Sequence, residues 1–391
     1  MSEILIVSNY FPPERGAAAN RIGRLAGGLS KLGFNVKVVC PLPNYPEGRI
    51  FKGYTGKFST TENFDGITVN RLWISPSKSA NPLVRIFSTA SFAVTLMFYL
   101  LFARLPKTAV VQSPPLLLSF LSVAVLRLRR RKVVLNVSDL WPLAALELGA
   151  LKNDSFGHNV ALFFERFIYK NSNIILGQST EILKHVETIT PGKRLHLYRN
   201  YPENCHSEQI AATGKVRIFY AGLLGVAQGV LAAVKNLKRG PGIELHIYGD
   251  GAEKDEIVKF IADNPDSGIF YHGMVAQKAL SAQISAYDIA FVPLRTRIYG
   301  SVPSKIFEYA AQGFPILYCG GGEGGEIVLE HKLGWVCEPG DYNALNNILE
   351  SISQIPREQI ARKKSEVLAT AKRHFNVVEQ LQSLVKKGVF Q

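Results

Sequence analysis

The chain has 391 residues, with 45 Lys+Arg against 31 Asp+Glu and a formal net charge of +14. At 47% hydrophobic residues it is too apolar to be mainly disordered, and its length suffices for two domains with separate cores. Four widely spaced cysteines (Cys40, Cys205, Cys319, Cys337) without a CxxC exclude a small disulfide-stapled fold and a thiolate zinc site.

The chain opens with an apolar strand, Ile4–Val7, and a loop from Asn9 to Asn20. The spacing then predicts a helix over Arg21–Leu32, with Ile22, Leu25, Ala26, Leu29 and Leu32 on one face and Gly33 closing it. Val36–Val39 is the next strand, so the order is that of a doubly wound α/β domain. Further strands are expected at Thr68–Leu72, Ala109–Gln112, Lys132–Val137 and Asn173–Gly177. The N-terminus does not read as a secretory signal, because Glu3 stands where a basic region belongs and Ile4–Val7 is too short.

Ile86–Ala103 is an 18-residue run without charge between Arg85 and Arg104, at the lower limit for a membrane span. It can span, lie in the interface, or pack on the protein. A single span would split the βα pattern between two compartments. A hairpin with the uncharged run Val110–Leu126 is interrupted by Pro114-Pro115. An interfacial helix is therefore expected, with Arg85, Phe92, Leu96, Phe98, Leu101 and Arg104 at the membrane beside the basic run Arg129, Arg130 and Arg131. A plain buried helix is the alternative.

Residues 1–200 hold 25 Lys+Arg and 11 Asp+Glu, whereas residues 201–391 hold 20 of each, so the whole positive excess lies in the first half. That asymmetry points to an anionic partner for this half, a membrane face or nucleic acid, against the plainer reading of a soluble basic surface. No nucleic-acid-binding module is recognised, and nucleic acid is not expected.

The same grammar restarts after residue 213. Val216–Ala221 is a strand, Gly222–Gly229 a loop, and Val230–Lys238 a helix. Ile243–Tyr248 is a strand ending in Gly249-Asp250-Gly251. Strands at Ile269–His272, Ile289–Val292 and Ile316–Cys319 follow, and Arg357–Val389 is helical by pattern. The expected fold class is α/β, with two Rossmann-like doubly wound domains facing across a cleft and a junction near Asn200–Thr213. Residues 1–200 would form the first domain, 201–373 the second, and 374–391 a helix packing back on the first. Ligands of open parallel sheets sit beyond the carboxyl ends of the strands, and helix N-termini favour phosphate, so a phosphate-bearing ligand is expected there. Neither glycine loop fits GxGxxG.

The segment from Pro303 through Lys305, Glu308, Ala311 and Gly313 to Pro315 resembles the P-x-K-x-x-E-x-x-A-x-G-x-P signature of retaining family-4 glycosyltransferases of the GT-B fold. Tyr220-Ala221-Gly222, Tyr248-Gly249-Asp250-Gly251 and Pro339-Gly340-Asp341 match that family's other C-terminal blocks in order. Phe11-Pro12-Pro13, Gly16, Leu25–Val39, Asn44–Gly48, Ser113-Pro114-Pro115 and Asp139-Leu140-Trp141-Pro142 match in the first half. The resemblance covers nearly the whole chain and is closest to the branch of bacterial O-antigen, capsule and exopolysaccharide assembly, including fucosaminyl transferases.

The resemblance implies a retaining transfer from a nucleotide-diphosphate sugar, UDP-linked by expectation, to a polyprenyl-diphosphate-linked saccharide. The enzyme would be cytoplasmic, peripherally attached to the inner membrane, and without metal or other cofactor. Lys305 is assigned to the diphosphate, where negative charge grows in the transition state. Glu308 is assigned to the ribose hydroxyls, Gly16 and Gly222 to close approach of loops to phosphate, and the turn Gly273–Val275 to the base. Arg15 or Arg199 would add charge. Asp139 is the acceptor-side candidate, to orient or deprotonate the attacking hydroxyl; an N-cap for a following helix is its structural alternative. Two departures stand out. Gly300 occupies the place of a second family glutamate, and Gln228 that of a phosphate-loop lysine. Loss of the carboxylate suits a deoxy or N-acetylated sugar. A GT-B UDP-sugar epimerase and a non-catalytic two-domain binding protein are the competing readings.

Overall fold

A computed structural model describes residues 2–391 apart from 80, 148, 204, 206–213, 239–241 and 276. Most of the expected junction Asn200–Thr213 thus lies outside the described residues. The chain forms two units: Met1–Asn200 with Tyr299–Ser301 and Val377–Gln391, and Tyr201–Ile298 with Val302–Asn376.

The first unit runs β1 (Glu3–Val7), α1 (Ala17–Lys31), β2 (Asn35–Pro41), β3 (Ser59–Phe64), β4 (Ile67–Leu72), α2 (Pro82–Phe102), β5 (Thr108–Ser113), α3 (Leu116–Leu128), β6 (Lys132–Val137), α4 (Leu143–Glu147), α5 (Phe156–Asn171), β7 (Ile174–Gly177), α6 (Thr180–Ile189) and β8 (Arg194–Leu197). Its sheet has the order β3-β4-β2-β1-β5-β6-β7-β8. All neighbours are parallel except β3 and β4. β5 is buried along all six residues, as a central parallel strand covered on both faces must be. The sequence reading missed β3. Its alternating, polar strand closes on Asp65-Gly66, both at positive φ, a two-residue hairpin turn. The uncharged run Val110–Leu126 resolves into β5 and α3, with Pro115 capping the helix.

Two of the residues assigned to the membrane are corrected here. Phe92 and Leu96 of α2 are 0% and 1% exposed and pack in the first unit's core with Leu5, Val111 and Leu135. A third, Arg129, donates to the carbonyls of Leu100 (2.9 Å), Leu101 (2.6 Å) and Ala103 (3.3 Å). It caps the end of α2, where a cation meets unsatisfied carbonyls and the negative pole of the helix. Phe98 is exposed, as are Arg85, Arg104 and Arg130; Leu101 and Arg131 are half-buried.

The second unit runs β9 (Val216–Ala221), α7 (Val230–Asn236), β10 (Ile243–Tyr248), α8 (Lys254–Asp263), β11 (Ile269–Tyr271), α9 (Gln277–Ile284), β12 (Ile289–Pro293), α10 (Ser304–Ala310), β13 (Ile316–Cys319), α11 (Gly322–Glu330), β14 (Gly334–Cys337), α12 (Tyr342–Ser353) and α13 (Arg357–His374). Its parallel sheet has the order β11-β10-β9-β12-β13-β14. The last helix, α14 (Val377–Lys386), belongs to the first unit, where Leu381 sits so close to Gly28 of α1 that a Cβ there would collide with it.

Candidate active site

In the second sheet the strand order reverses between β9 and β12, and ligands of open α/β sheets bind beyond the carboxyl ends of strands at such a point. Lys305 stands there, in the first turn of α10. Tyr309, one turn further on, donates its hydroxyl to the carbonyl of Ala221 (3.0 Å) and so fixes α10 to the end of β9. Lys305 Nζ lies 4.2 Å from the centroid of the Tyr220 ring, a cation–π contact. That ring is held by its own hydroxyl, which donates to the carbonyl of Leu223 (2.5 Å). Burial pushes the Lys305 pKa down to about 8, against the opposing pull of Glu308 three residues on. A desolvated ammonium of this kind gains more from an incoming anion than a solvated one does.

The backbone of Gly222 is tied into the sheet. Its N–H donates to the carbonyl of Tyr248 (3.0 Å). What the glycine provides is room, because a Cβ there would strike the Lys305 ammonium. Sequence reasoning also missed two cations. Arg295 and Arg297 are exposed directly beyond β12, on the other side of the same switch point. The Arg295 N–H donates to the carbonyl of Ala227 (3.0 Å), which pins the loop that carries Gln228. The Arg297 side chain lies against Gly322 at the start of α11. Two arginines at the exit of a fully buried strand were a legible signal. The turn Gly273–Val275 lies beside the end of β10, with the Gly249 N–H donating to the carbonyl of Gly273 (2.9 Å).

In the first unit, Glu14 is 2% exposed and accepts the N–H groups of Phe11 (3.3 Å), Asn44 (2.9 Å) and Tyr45 (2.9 Å). Burial nevertheless raises its pKa. These bonds join the loops after β1 and β2, and they set the Tyr45 ring 3.2 Å from where a Cβ on Gly16 would stand. Gly16, at φ +146°, starts α1 in a conformation that favours glycine.

Asp139 follows β6. It accepts from Ser138 Oγ (3.1 Å), which in turn accepts from Gln112 Nε2 (3.0 Å), and Gln112 Oε1 accepts from Asn136 Nδ2 (2.7 Å). Burial raises the Asp139 pKa, against Arg21 and the Ser138 bond, which lower it. Arg21 lies within electrostatic reach and donates to Gln178 Oε1 (2.7 Å); its own pKa is lowered by burial. The sequence reading passed over Arg21, although a cation near the start of a helix works against the helix dipole and so called for a partner. The first turn of α4 is anchored by the Ala144 N–H on the carbonyl of Leu140 (2.7 Å), whereas the Asp139 carboxylate accepts from Ser138 Oγ. Arg199 lies beyond β8, 8% exposed, with its backbone N–H donating to Gln380 Oε1 (2.8 Å) and its carbonyl accepting from Gln380 Nε2 (2.9 Å).

Gly300 belongs to the first unit through Tyr299–Ser301. Its N–H donates to Glu181 Oε2 (2.7 Å) and its carbonyl accepts from Ser179 Oγ (2.7 Å). It has φ +82°, and a Cβ would lie 3.0 Å from Ile182 and 3.1 Å from Leu140. A glutamate at this position has neither the backbone nor the space it needs.

Residues 16–200 match the sequence model described as glycosyl transferase 4-like domain, and residues 214–354 match glycosyl transferases group 1. The two matches leave out only 1–15, 201–213 and 355–391. The chain belongs to the GT-B glycosyltransferases. It is 27% identical over 270 residues to the probable glycosyltransferase WbjE of Pseudomonas aeruginosa, covering 62% of this chain and 66% of that one, just under two thirds of its length. It is 23% identical over 334 residues to the putative colanic acid biosynthesis glycosyl transferase WcaI of Escherichia coli K12, covering 80% and 81%. Sucrose-phosphate synthase of Thermosynechococcus elongatus shares its fold over 99% of both chains, with TM-score 0.75 and 15% identity. HepE of Anabaena, in complex with UDP and glucose, does so with TM-score 0.68 and 15% identity, also over 99% of both.

Proposed function

We propose that this GT-B enzyme transfers a sugar, with retention, from a UDP-sugar to a polyprenyl-diphosphate-linked saccharide at the cytoplasmic face of a bacterial inner membrane, in surface polysaccharide assembly. The observation that carries the reading is the Lys305 ammonium, held over Tyr220 against Gly222 at the switch point of the second sheet, with Glu308 one turn away on the same helix. Lys305 meets the diphosphate, with Arg295 and Arg297 as further cations, and Glu308 accepts from the ribose hydroxyls. The name of WcaI, a putative colanic acid biosynthesis glycosyl transferase, supports the biosynthetic setting, and HepE with UDP supports the donor. Asp139 orients the acceptor hydroxyl. In front-face transfer, the C1–O bond to the acceptor forms as the C1–O bond to diphosphate breaks, and the hydroxyl proton passes to the departing phosphate oxygen. The sugar is one that needs no carboxylate from position 300, a deoxy or N-acetylated one.

The test is thermal shift with UDP, GDP, ADP and CDP on wild type and E308A, followed by transfer from labelled UDP-sugars to a lipid-linked acceptor. Stabilisation by UDP alone, lost in E308A, and product from a UDP-deoxy or UDP-N-acetyl sugar are expected. No shift with any nucleotide overturns the donor assignment. A preference for UDP-glucose overturns the sugar class.

A further inference from the structure

Between Asp65 and Asp139 the chain has no acidic residue, and ten lysines and arginines fall in that interval. α2 lies inside it. One side of α2 carries Phe92, Ala93, Leu96 and Leu100 into the core. The opposite side carries Phe87, Val94, Phe98 and Phe102, which are 63%, 50%, 53% and 80% exposed. The four form a single stripe at helical spacing. The Thr95 hydroxyl donates to the carbonyl of Trp73 (2.9 Å), and the Ser75 N–H donates to Ser91 Oγ (2.9 Å). The helix therefore runs back along the segment leaving β4, and its first turns stand beyond the carboxyl edge of the sheet. There Leu83 through Phe87 are all exposed, Leu83 at 74% and Ile86 at 60%, with Arg85 among them. The loop after β2 packs at the same edge, since a Cβ on Gly48 would run into Lys78.

We infer that α2 is an in-plane anchor that seats the first unit on an anionic bilayer, with the stripe Phe87–Phe102 in the acyl boundary and its protruding first turns at the lipid surface. By length and composition Leu83–Phe102 is apolar enough to cross a membrane. A crossing would pull four side chains out of the core and break the Thr95 and Ser75 bonds. A second copy of the chain is a poor occupant, because it would bring together the exposed cations that flank the stripe, Arg85 at its start and Arg104 and Lys107 after its end. Anionic headgroups complement them. The anchor deepens the reading above by bringing the loops after β1 and β2 to the level of a lipid-linked acceptor; the docking itself does not depend on that reading.

The experiment is vesicle co-sedimentation of the full chain with phosphatidylcholine alone and with about 30 mol % phosphatidylglycerol. It compares wild type, L83E/F87E, and L329E, which alters an exposed leucine on α11. All three sites are exposed, and unchanged melting temperatures verify the fold. Binding about tenfold tighter to the anionic vesicles is expected, lost about tenfold in L83E/F87E and kept in L329E. The inference is overturned if L83E/F87E binds as well as wild type, if wild type binds neither vesicle, or if L83E/F87E instead dissolves a dimer that ignores lipid. UDP-induced thermal shift on the same preparations separates the two claims. A shift without vesicle binding overturns the anchor alone, whereas vesicle binding without a shift leaves the anchor standing and overturns the donor assignment.

Discussion

A lysine with a pKa of about 8 loses its charge within the range of ordinary buffers. If Lys305 grips the diphosphate as an ammonium, UDP affinity stays level below about pH 8. Above it, affinity weakens by up to about tenfold per pH unit, because binding must then take up a proton. The guanidinium of K305R stays charged and flattens that limb; calorimetric titrations from neutral to alkaline pH give both slopes, and equal slopes would remove Lys305 from the phosphate. K305A is expected to lower transfer about a hundredfold, the effect of losing one donor aimed at a growing negative charge. Gly300→Glu makes the complementary point. Restoring the family carboxylate forces a side chain onto φ +82° between Ile182 and Leu140. Stability falls by about 1–3 kcal/mol without any gain in transfer, measured as a lower Tm and an unchanged sugar preference. Lys305 and Glu308 were legible because their motif is local, lying on one turn of one helix. Arg21 and Asp139 meet from α1 and the far end of β6, and the role of Gly300 depends on neighbours from α6 and the Asp139 loop. No spacing in the sequence carries those encounters.

At the scale of elements, the buried parallel strands announced themselves as apolar runs. What escaped was the edge. β3 reads Ser-Thr-Thr-Glu-Asn-Phe, half of it solvated, and its place depends on Arg71 of β4. That side chain is 0% exposed, pairs with Glu62 of β3 (2.6 Å), and donates to the carbonyl of Pro12 in the loop after β1. One guanidinium thus links the hairpin to the loop that leads into Gly16. Arg71→Met keeps much of the volume but removes both bonds, leaving Glu62 with the Tyr54 hydroxyl (2.8 Å). It should cost about 1.5–3 kcal/mol, the range for hydrogen bonds to charged groups, seen as a lower urea midpoint at unchanged slope. A midpoint within error of wild type would mean that the hairpin is held by its backbone ladder alone. α2 was ambiguous for a related reason. It is apolar on both sides, so composition could not say which side the core would take.

At the scale of the whole molecule, the charge asymmetry and the path of the chain both single out the first unit. It is assembled from three separate stretches, and the last of them, Val377–Gln391, comes after all of the second unit. Val377, Leu381, Leu384, Val389 and Phe390 are each 3% exposed or less. Burial of such side chains is worth about 1.5–3 kcal/mol each, so the five together rival the whole net stability of a domain, about 5–15 kcal/mol. Their removal would also uncover the face of α1 at Gly28. A chain ending at Asn376 is therefore expected to lose the first unit while keeping the second. Its core is drawn from residues 216–375 and includes no side chain from the deleted segment. Limited proteolysis reads this directly. Residues 1–200 of the truncated chain should be cut at least about tenfold faster than in the full chain, while a fragment starting near Tyr201 persists, since cleavage follows the population of the opened state. Equal protection of both units would mean that α1 closes its own face, and that the returning helix adds little to the fold it completes.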